Sequence, residues 1–130
     1  MMSDQGYVKE ITEDGIIIYR FQSVSRQCIE VWFADVSRVF SDAKAAQTSV
    51  HIIYDVRAIS SPTPHALKRA HDLAKLPLPS AWYVATLCGP LAANFVNFIR
   101  ATSLLSTENF ARSQVFRSEE EALAWLRSVR

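Results

Sequence analysis

The sequence predicts an α/β domain built on a five-stranded, mostly parallel mixed sheet with four helices, in the order β-β-α-β-α-β-α-β-α. Three observations carry that expectation. Short apolar runs rich in β-branched residues, such as Ile16-Ile17-Ile18-Tyr19 and Val50-His51-Ile52-Ile53-Tyr54, alternate with longer stretches of helical period. The first two strand-like runs are separated by Glu13-Asp14-Gly15, a turn signal for a hairpin. Beyond that hairpin, strand and helix patterns alternate to the last residues, which calls for parallel strands joined by right-handed crossovers.

The elements follow in order. Tyr7 to Thr12 alternates loosely and reads as a short strand. Ile16 to Phe21 is apolar on both faces, as an inner strand should be. From about Ser25 the period changes. Ile29, Trp32, Phe33, Val36, Phe40 and Ala43 form a wide apolar stripe, and Ser23 or Ser25 is placed to cap a helix running to Ala46. Val50 to Val56 is the third strand. Thr63-Pro64 opens the second helix: threonine accepts an orphan N–H, and proline at the first helical position loses nothing. Ala66, Leu67, Ala70, Leu73 and Ala74 line its inner face, and Pro77 and Pro79 end it. Ala81 to Cys88 is a fourth strand, with Gly89-Pro90 as punctuation. Leu91, Phe95, Phe98, Ile99 and Thr102 mark a third helix, Ser106 to Asn109 a loop, and Gln114 to Arg117 a last strand. Ser118-Glu119-Glu120-Glu121 is a capping box whose acidic residues suit the helix dipole. Ala122, Leu123, Leu126 and Val129 form the inner face of that final helix.

Composition narrows the function classes. The 130 residues suit one domain, 1–130, and 49% hydrophobic with 21% charged residues is ordinary for a packed core. A formal charge of +1 with scattered Lys and Arg argues against nucleic acid, which needs clustered positive charge. No apolar run approaches the roughly 20 residues of a membrane span. The start, Met1-Met2-Ser3-Asp4-Gln5-Gly6, has no signal core, so a cytoplasmic protein is expected. Cys28 and Cys88, each in apolar surroundings, are expected to be reduced and buried.

The most informative stretch is Tyr54 to Pro64. A strand ends in Asp55, passes through a polar loop carrying Ser60, Ser61 and Thr63, and feeds a helix. In open α/β sheets ligands and regulators act at the carboxyl ends of strands beside helix N-termini. A phosphoryl group on one of these hydroxyls would meet free N–H groups and a favourable dipole. The plain alternative makes Thr63 a cap and the serines loop residues. Asp55 is either a functional strand-end carboxylate or a loop cap bonding backbone N–H groups. His65, in the first turn of the second helix, is placed for a polar rim around this loop or for solvent, and Gly89 is placed to help bind an anion nearby. His65 and His71 are six positions apart and lie on different helix faces, so no histidine metal site is expected. No Gly-rich phosphate loop and no nucleophile elbow occurs.

The last strand and helix, Val115-Phe116-Arg117-Ser118-Glu119-Glu120-Glu121-Ala122-Leu123-Ala124-Trp125-Leu126, read as an aromatic, then acidic residues, then Glu-Ala-Leu-Ala-Trp-Leu. With the element order over nearly the whole chain, this resembles the STAS domain of sulphate transporters and anti-sigma-factor antagonists. The nearer resemblance is to bacterial stage II sporulation protein AA-like proteins. It implies that the third strand ends in Asp and leads to an Asp-Ser-Ser-Gly segment. A partner kinase phosphorylates a serine there and so switches binding to a sigma-factor inhibitor. Asp55 matches the strand-end aspartate and Ser60-Ser61 the serine pair, while Ile59 precedes Ser60 and Pro62 stands in place of the glycine.

The expected function is therefore a non-enzymatic regulatory or protein-interaction domain. Its candidate phospho-acceptors are Ser60, Ser61 and Thr63, and its candidate loop and anion-binding residues are Asp55, His65 and Gly89. It calls for no cofactor and no metal. By resemblance its partner is a protein, of the anti-sigma-factor or kinase kind. The aromatic width of the first helix (Trp32 beside Phe33) would serve a homodimer. The alternative function is binding of a small apolar ligand or lipid between helices; the related lipid-binding proteins of the SEC-fourteen type share the gross layout but are larger and carry pocket-forming helices this chain lacks.

Overall fold

The computed structural model describes residues 6–60, 62–89 and 112–129. Five strands form one sheet in the order β1-β2-β3-β4-β5. They are β1 (Tyr7–Ile11), β2 (Ile17–Phe21), β3 (Val50–Asp55), β4 (Trp82–Leu87) and β5 (Ser113–Phe116). The β1–β2 pair is antiparallel and the other three pairs are parallel. The described helices are α1 (Arg26–Ala46), α2 (Pro64–Ala74) and α3 (Glu119–Ser128). The predicted α/β class and five-stranded mixed sheet are observed. The helix expected over Leu91–Thr102 and the loop at Ser106–Asn109 lie outside the described residues.

A strand order that never reverses, joined by right-handed crossovers, puts crossover helices on one face. α1 and α2 do share a face: Cys28, Ile29, Trp32, Val36, Phe40 and Ala43 of α1 and Ala66 of α2 pack on Tyr19, Ile52 and Val84. Strand side chains alternate between faces. The opposite face therefore presents Ile18, Ile53, Ala85 and Leu87, which Ala122 and Leu126 of α3 cover. α3 runs back along the sheet. At its start Glu119 accepts from Arg20 Nη1 at 2.7 Å, and at its end Arg127 Nε donates to Asp14 at 2.8 Å. Ten helical residues span about 15 Å, close to the roughly 16 Å of a five-residue strand such as β2, so one short helix reaches ion-pair partners at both ends of that strand.

Strand ends differ from expectation by a residue. Thr12 and Ile16 belong to the hairpin loop, which Thr12 N–H closes onto Ile16 O at 2.9 Å. Gly15 alone in the turn takes a positive φ, +88°, the left-handed position that glycine fills. β3 stops at Asp55 because the chain then turns, with Ile59 N–H bonded to Val56 O at 3.0 Å. β4 spans Trp82–Leu87 instead of Ala81 to Cys88, and β5 includes Ser113 but not Arg117. Three expected N-caps are present. Ser25 accepts from Cys28 N–H, Thr63 from Ala66 N–H at 3.1 Å, and Ser118 from Glu121 N–H.

The aromatic residues of the described segments pack inward. Tyr7, Tyr19, Phe21, Trp32 and Tyr54 form one cluster with ring centroids 5.6 to 6.3 Å apart. The Tyr19 hydroxyl, fully buried, donates to Asp35 on α1 at 2.8 Å, and Lys9 on β1 reaches the same carboxylate at 3.0 Å. Phe33, which widened the apolar stripe, is partly buried under the Arg69 guanidinium, 4.3 Å from its ring centre. Trp125 packs on Phe116 and Tyr83. The aromatic surplus on which a homodimer would rest is thus packed inside or covered, as far as the described residues go. No helix among them is long and apolar enough to cross a membrane.

Gly6 holds the entry to this core. Its φ is +85°, and a Cβ there would sit 3.0 Å from Cys28 Sγ and 3.2 Å from Ser23 Cβ. Gly6→Ala is expected to cost about 1–2 kcal/mol from the backbone conformation, with further loss from the contact with Cys28. A urea titration monitored by tryptophan fluorescence checks this. A midpoint equal to wild type would show that the N-terminal strand does not need the left-handed turn.

Candidate functional site

The carboxyl ends of β2, β3 and β4, with the loops that leave them, bring together part of the expected site. Asp55 closes β3 and is 8% exposed. It lies beside Arg20 in the β2–β3 register and beside Leu87 in the β3–β4 register. Its Oδ1 accepts from the Arg57 backbone N–H at 3.2 Å and from Arg57 Nε at 2.9 Å. Its Oδ2 accepts from Arg57 Nη2 at 2.8 Å and from Arg20 Nη1 at 3.0 Å. Asp55 thus caps its own loop through the Arg57 backbone N–H and, in addition, anchors a charge network.

That network lies on the face of the sheet that α3 covers, the face of Ile18, Ile53 and Leu87. Arg20 also binds Glu119 through Nη1 and Nη2, at 2.7 and 3.3 Å, and donates to Glu10. Arg57 Nη2 stands 3.6 Å from Glu119 Oε1. Burial pushes the Asp55 carboxyl up, but the bonds from Arg57 and Arg20 outweigh it and hold it below the usual carboxylate range. The Arg20 bonds hold Glu119 low as well. An ionised carboxylate with four donors is poorly suited to act as a general acid near neutral pH.

Gly89 lies next to this network. A Cβ on it would be 3.5 Å from the Arg57 carbonyl oxygen, an ordinary contact, so the loops after β3 and β4 touch without requiring glycine for space. Pro90 lies outside the described residues.

The hydroxyl residues separate. Ser60 is exposed in the loop. Ser61 lies outside the described residues. Thr63 is only partly buried and is engaged as the N-cap of α2. His65 is on another side of the site: its Nε2 lies 2.7 Å from Glu30 Oε2, and its side chain is only 18% exposed. Arg69, one helical turn on, forks onto both Glu30 oxygens at 2.7 Å. Its guanidinium, with His65, holds the Glu30 carboxyl down at about 2. His65 is therefore part of a clamp between α1 and α2, and its Nε2 is taken by a carboxylate.

Sequence reading missed Arg20, Arg57, Glu119 and Glu30 as site residues. One signal was present: Arg20 is a lone cation in an otherwise apolar inner strand, and a half-buried guanidinium demands carboxylates. Arg57 and Glu30 gave none. The two cysteines are free and buried, and burial pushes the Cys88 thiol up to about 11, away from the thiolate form. Among the described residues no three His, Cys, Asp or Glu side chains group to hold a metal ion. In comparisons with known proteins the chain matches no family model, no curated protein and no solved structure.

Proposed function

We propose that this chain is a non-enzymatic, cytoplasmic regulatory or protein-interaction domain of the STAS kind, working through the loop between β3 and α2 and switched by phosphate on that loop. One observation carries the reading. The loop is held at both ends, by the Asp55–Arg57 bonds and by the Thr63 cap, while Ser60 between them is exposed. An exposed hydroxyl between two anchored ends suits modification and partner contact. The unreversed strand order, with α1 and α2 on one face and α3 on the other, agrees with the resemblance of the chain's last strand and helix.

Ser60, Ser61 and Thr63 are not equivalent in this proposal. Thr63→Ala would remove a cap worth about 1 kcal/mol, so Thr63→Asn, which keeps a capping oxygen and removes the hydroxyl, is the informative change there. Ser60 is the preferred acceptor because the residue is exposed. The protein isolated from its own host is expected to carry a phosphoryl group that fragmentation places on Ser60. Relative to unphosphorylated wild type, Ser60→Asp is then expected to change affinity for the co-purified partner about tenfold or more, with Ser60→Ala close to the unphosphorylated protein. Unchanged affinity across the Ser60, Ser61 and Thr63 series would refute the switch. An unmodified chain carrying a bound small molecule would favour the apolar-ligand function instead.

A further inference from the structure

We infer that Arg57 couples the β3–α2 loop to the first turn of α3 on the opposite face of the sheet, so that a phosphate on the loop loosens that helix; this rests on the loop being the regulated surface. The connections leaving β3 and β5 diverge. The first feeds α2 on one face, and the second feeds α3 on the other. Side chains join them at the carboxyl edge. Asp55 ends β3, Arg57 belongs to the first connection, Glu119 opens α3, and both Arg20 and Arg57 stand between the two carboxylates.

The two arginines are not alike. Arg20 sits on a paired strand, bonds three carboxylates (Glu10, Asp55 and Glu119), and its side chain is 29% exposed. Arg57 sits in a turn, its side chain is 42% exposed, and its contact with Glu119 is the loosest in the network at 3.6 Å. Arg57 holds Asp55 through Nε and Nη2, at 2.9 and 2.8 Å, and its longer contact with Glu119 is the one it can exchange. Ser60 follows it by three positions, a span of at most about 11 Å, which an extended arginine and a phosphoserine close from both sides. A phosphate dianion offers stronger charge-assisted bonds than a second carboxylate already shared with Arg20. When Arg57 turns to it, Glu119 keeps Arg20 but loses its second cation. α3 has only ten residues, too few to hold its ends by helix propagation alone, so its first turn frays more often.

Coupling of this kind is reciprocal, which supplies the test. Amide hydrogen exchange is measured on the whole chain for wild type, Ser60→Asp, Arg57→Ala, the double variant and Glu119→Gln, and on protein carrying phosphoserine at position 60. Phosphoserine is expected to raise exchange in the first turns of α3 by about two- to fivefold, the scale of a partly exposed ion pair, and Ser60→Asp by less. In the Arg57→Ala background the change at position 60 is expected to have no effect on α3. Glu119→Gln is expected to raise exchange at Ala58 to Ser60, and only while Arg57 is present. An α3 that does not respond to phosphoserine, or that responds equally without Arg57, overturns the coupling. If partner affinity still follows Ser60 in that case, the proposed function stands and only the coupling falls. If α3 responds while partner affinity does not, the proposed function falls and the coupling stands.

Discussion

Leu126→Ala is expected to destabilise the protein by about 3 kcal/mol and to lower the melting temperature by about 10 °C. Leu126 is fully buried, in the core that includes Ile16, Ile18, Ile53, Ala85, Leu87 and Ala122. That core is thin. Only Ala122 and Leu126 of α3 are fully buried, and Ala122 contributes a single methyl. Neighbours close a cavity only partly, and here the neighbours are strand residues held by hydrogen bonds on both sides. The ion pairs at the two ends of α3 do not compensate. Glu119 is 33% exposed and Arg127 51% exposed, and pairs so exposed contribute at most about 1 kcal/mol. Calorimetry and urea unfolding check the value. A loss below about 1 kcal/mol would mean that α3 is held mainly by its ends.

Asp55→Ala is expected to cost about 2–3 kcal/mol, less than the 3–5 found for breaking a fully buried pair. The difference comes from what is left behind. Arg20 keeps Glu10 and Glu119, and Arg57 is exposed enough to turn to water. Asp55→Asn should cost about 1 kcal/mol, since an amide oxygen can still accept the Arg57 backbone N–H. The effect depends on pH in a definite direction. The folded carboxyl lies below its ordinary value, so its contribution is complete above the unfolded pKa of about 4 and is lost as pH falls through the folded value. The stability gap between wild type and Asp55→Asn should therefore be constant from pH 7 to about 5 and shrink below about 4. A gap that does not change down to pH 2.5 would show that Asp55 acts through shape and not through charge. The same titration bears on Glu119, also held low by Arg20, so acid should release the loop and α3 together.

Much of this fold was legible in the sequence because it is written in local patterns. The stripe Ile29, Trp32, Val36, Phe40, Ala43 is a helix face, and those residues are buried in α1. Ser25, Thr63 and Ser118 cap helices because an orphan N–H lies three residues on in each case, whatever the rest of the chain does. The Asp14-Gly15 turn marked the hairpin, and the one-residue error at Thr12 and Ile16 arose because only Gly15 takes the left-handed conformation. Part of the site was legible too. The Asp55 bond to the Arg57 backbone is a contact over two residues, of the kind that turn chemistry anticipates.

The chain's own order of residues thus determined the class of fold, its strands and described helices, three caps and the loop that invites attention. Tertiary structure alone decided what that loop is tied to. Arg20 meets Asp55 across 35 positions and Glu119 across 99, and Glu30 meets His65 across 35 and Arg69 across 39. No periodicity or spacing encodes such pairs. They follow from the parallel register that sets β2 beside β3, and from the unreversed strand order that leaves the second face open for α3. A charged side chain finds its partner only after backbone pairing and burial have brought the two into one half-dry place, where leaving either unpaired would cost more than ordering both.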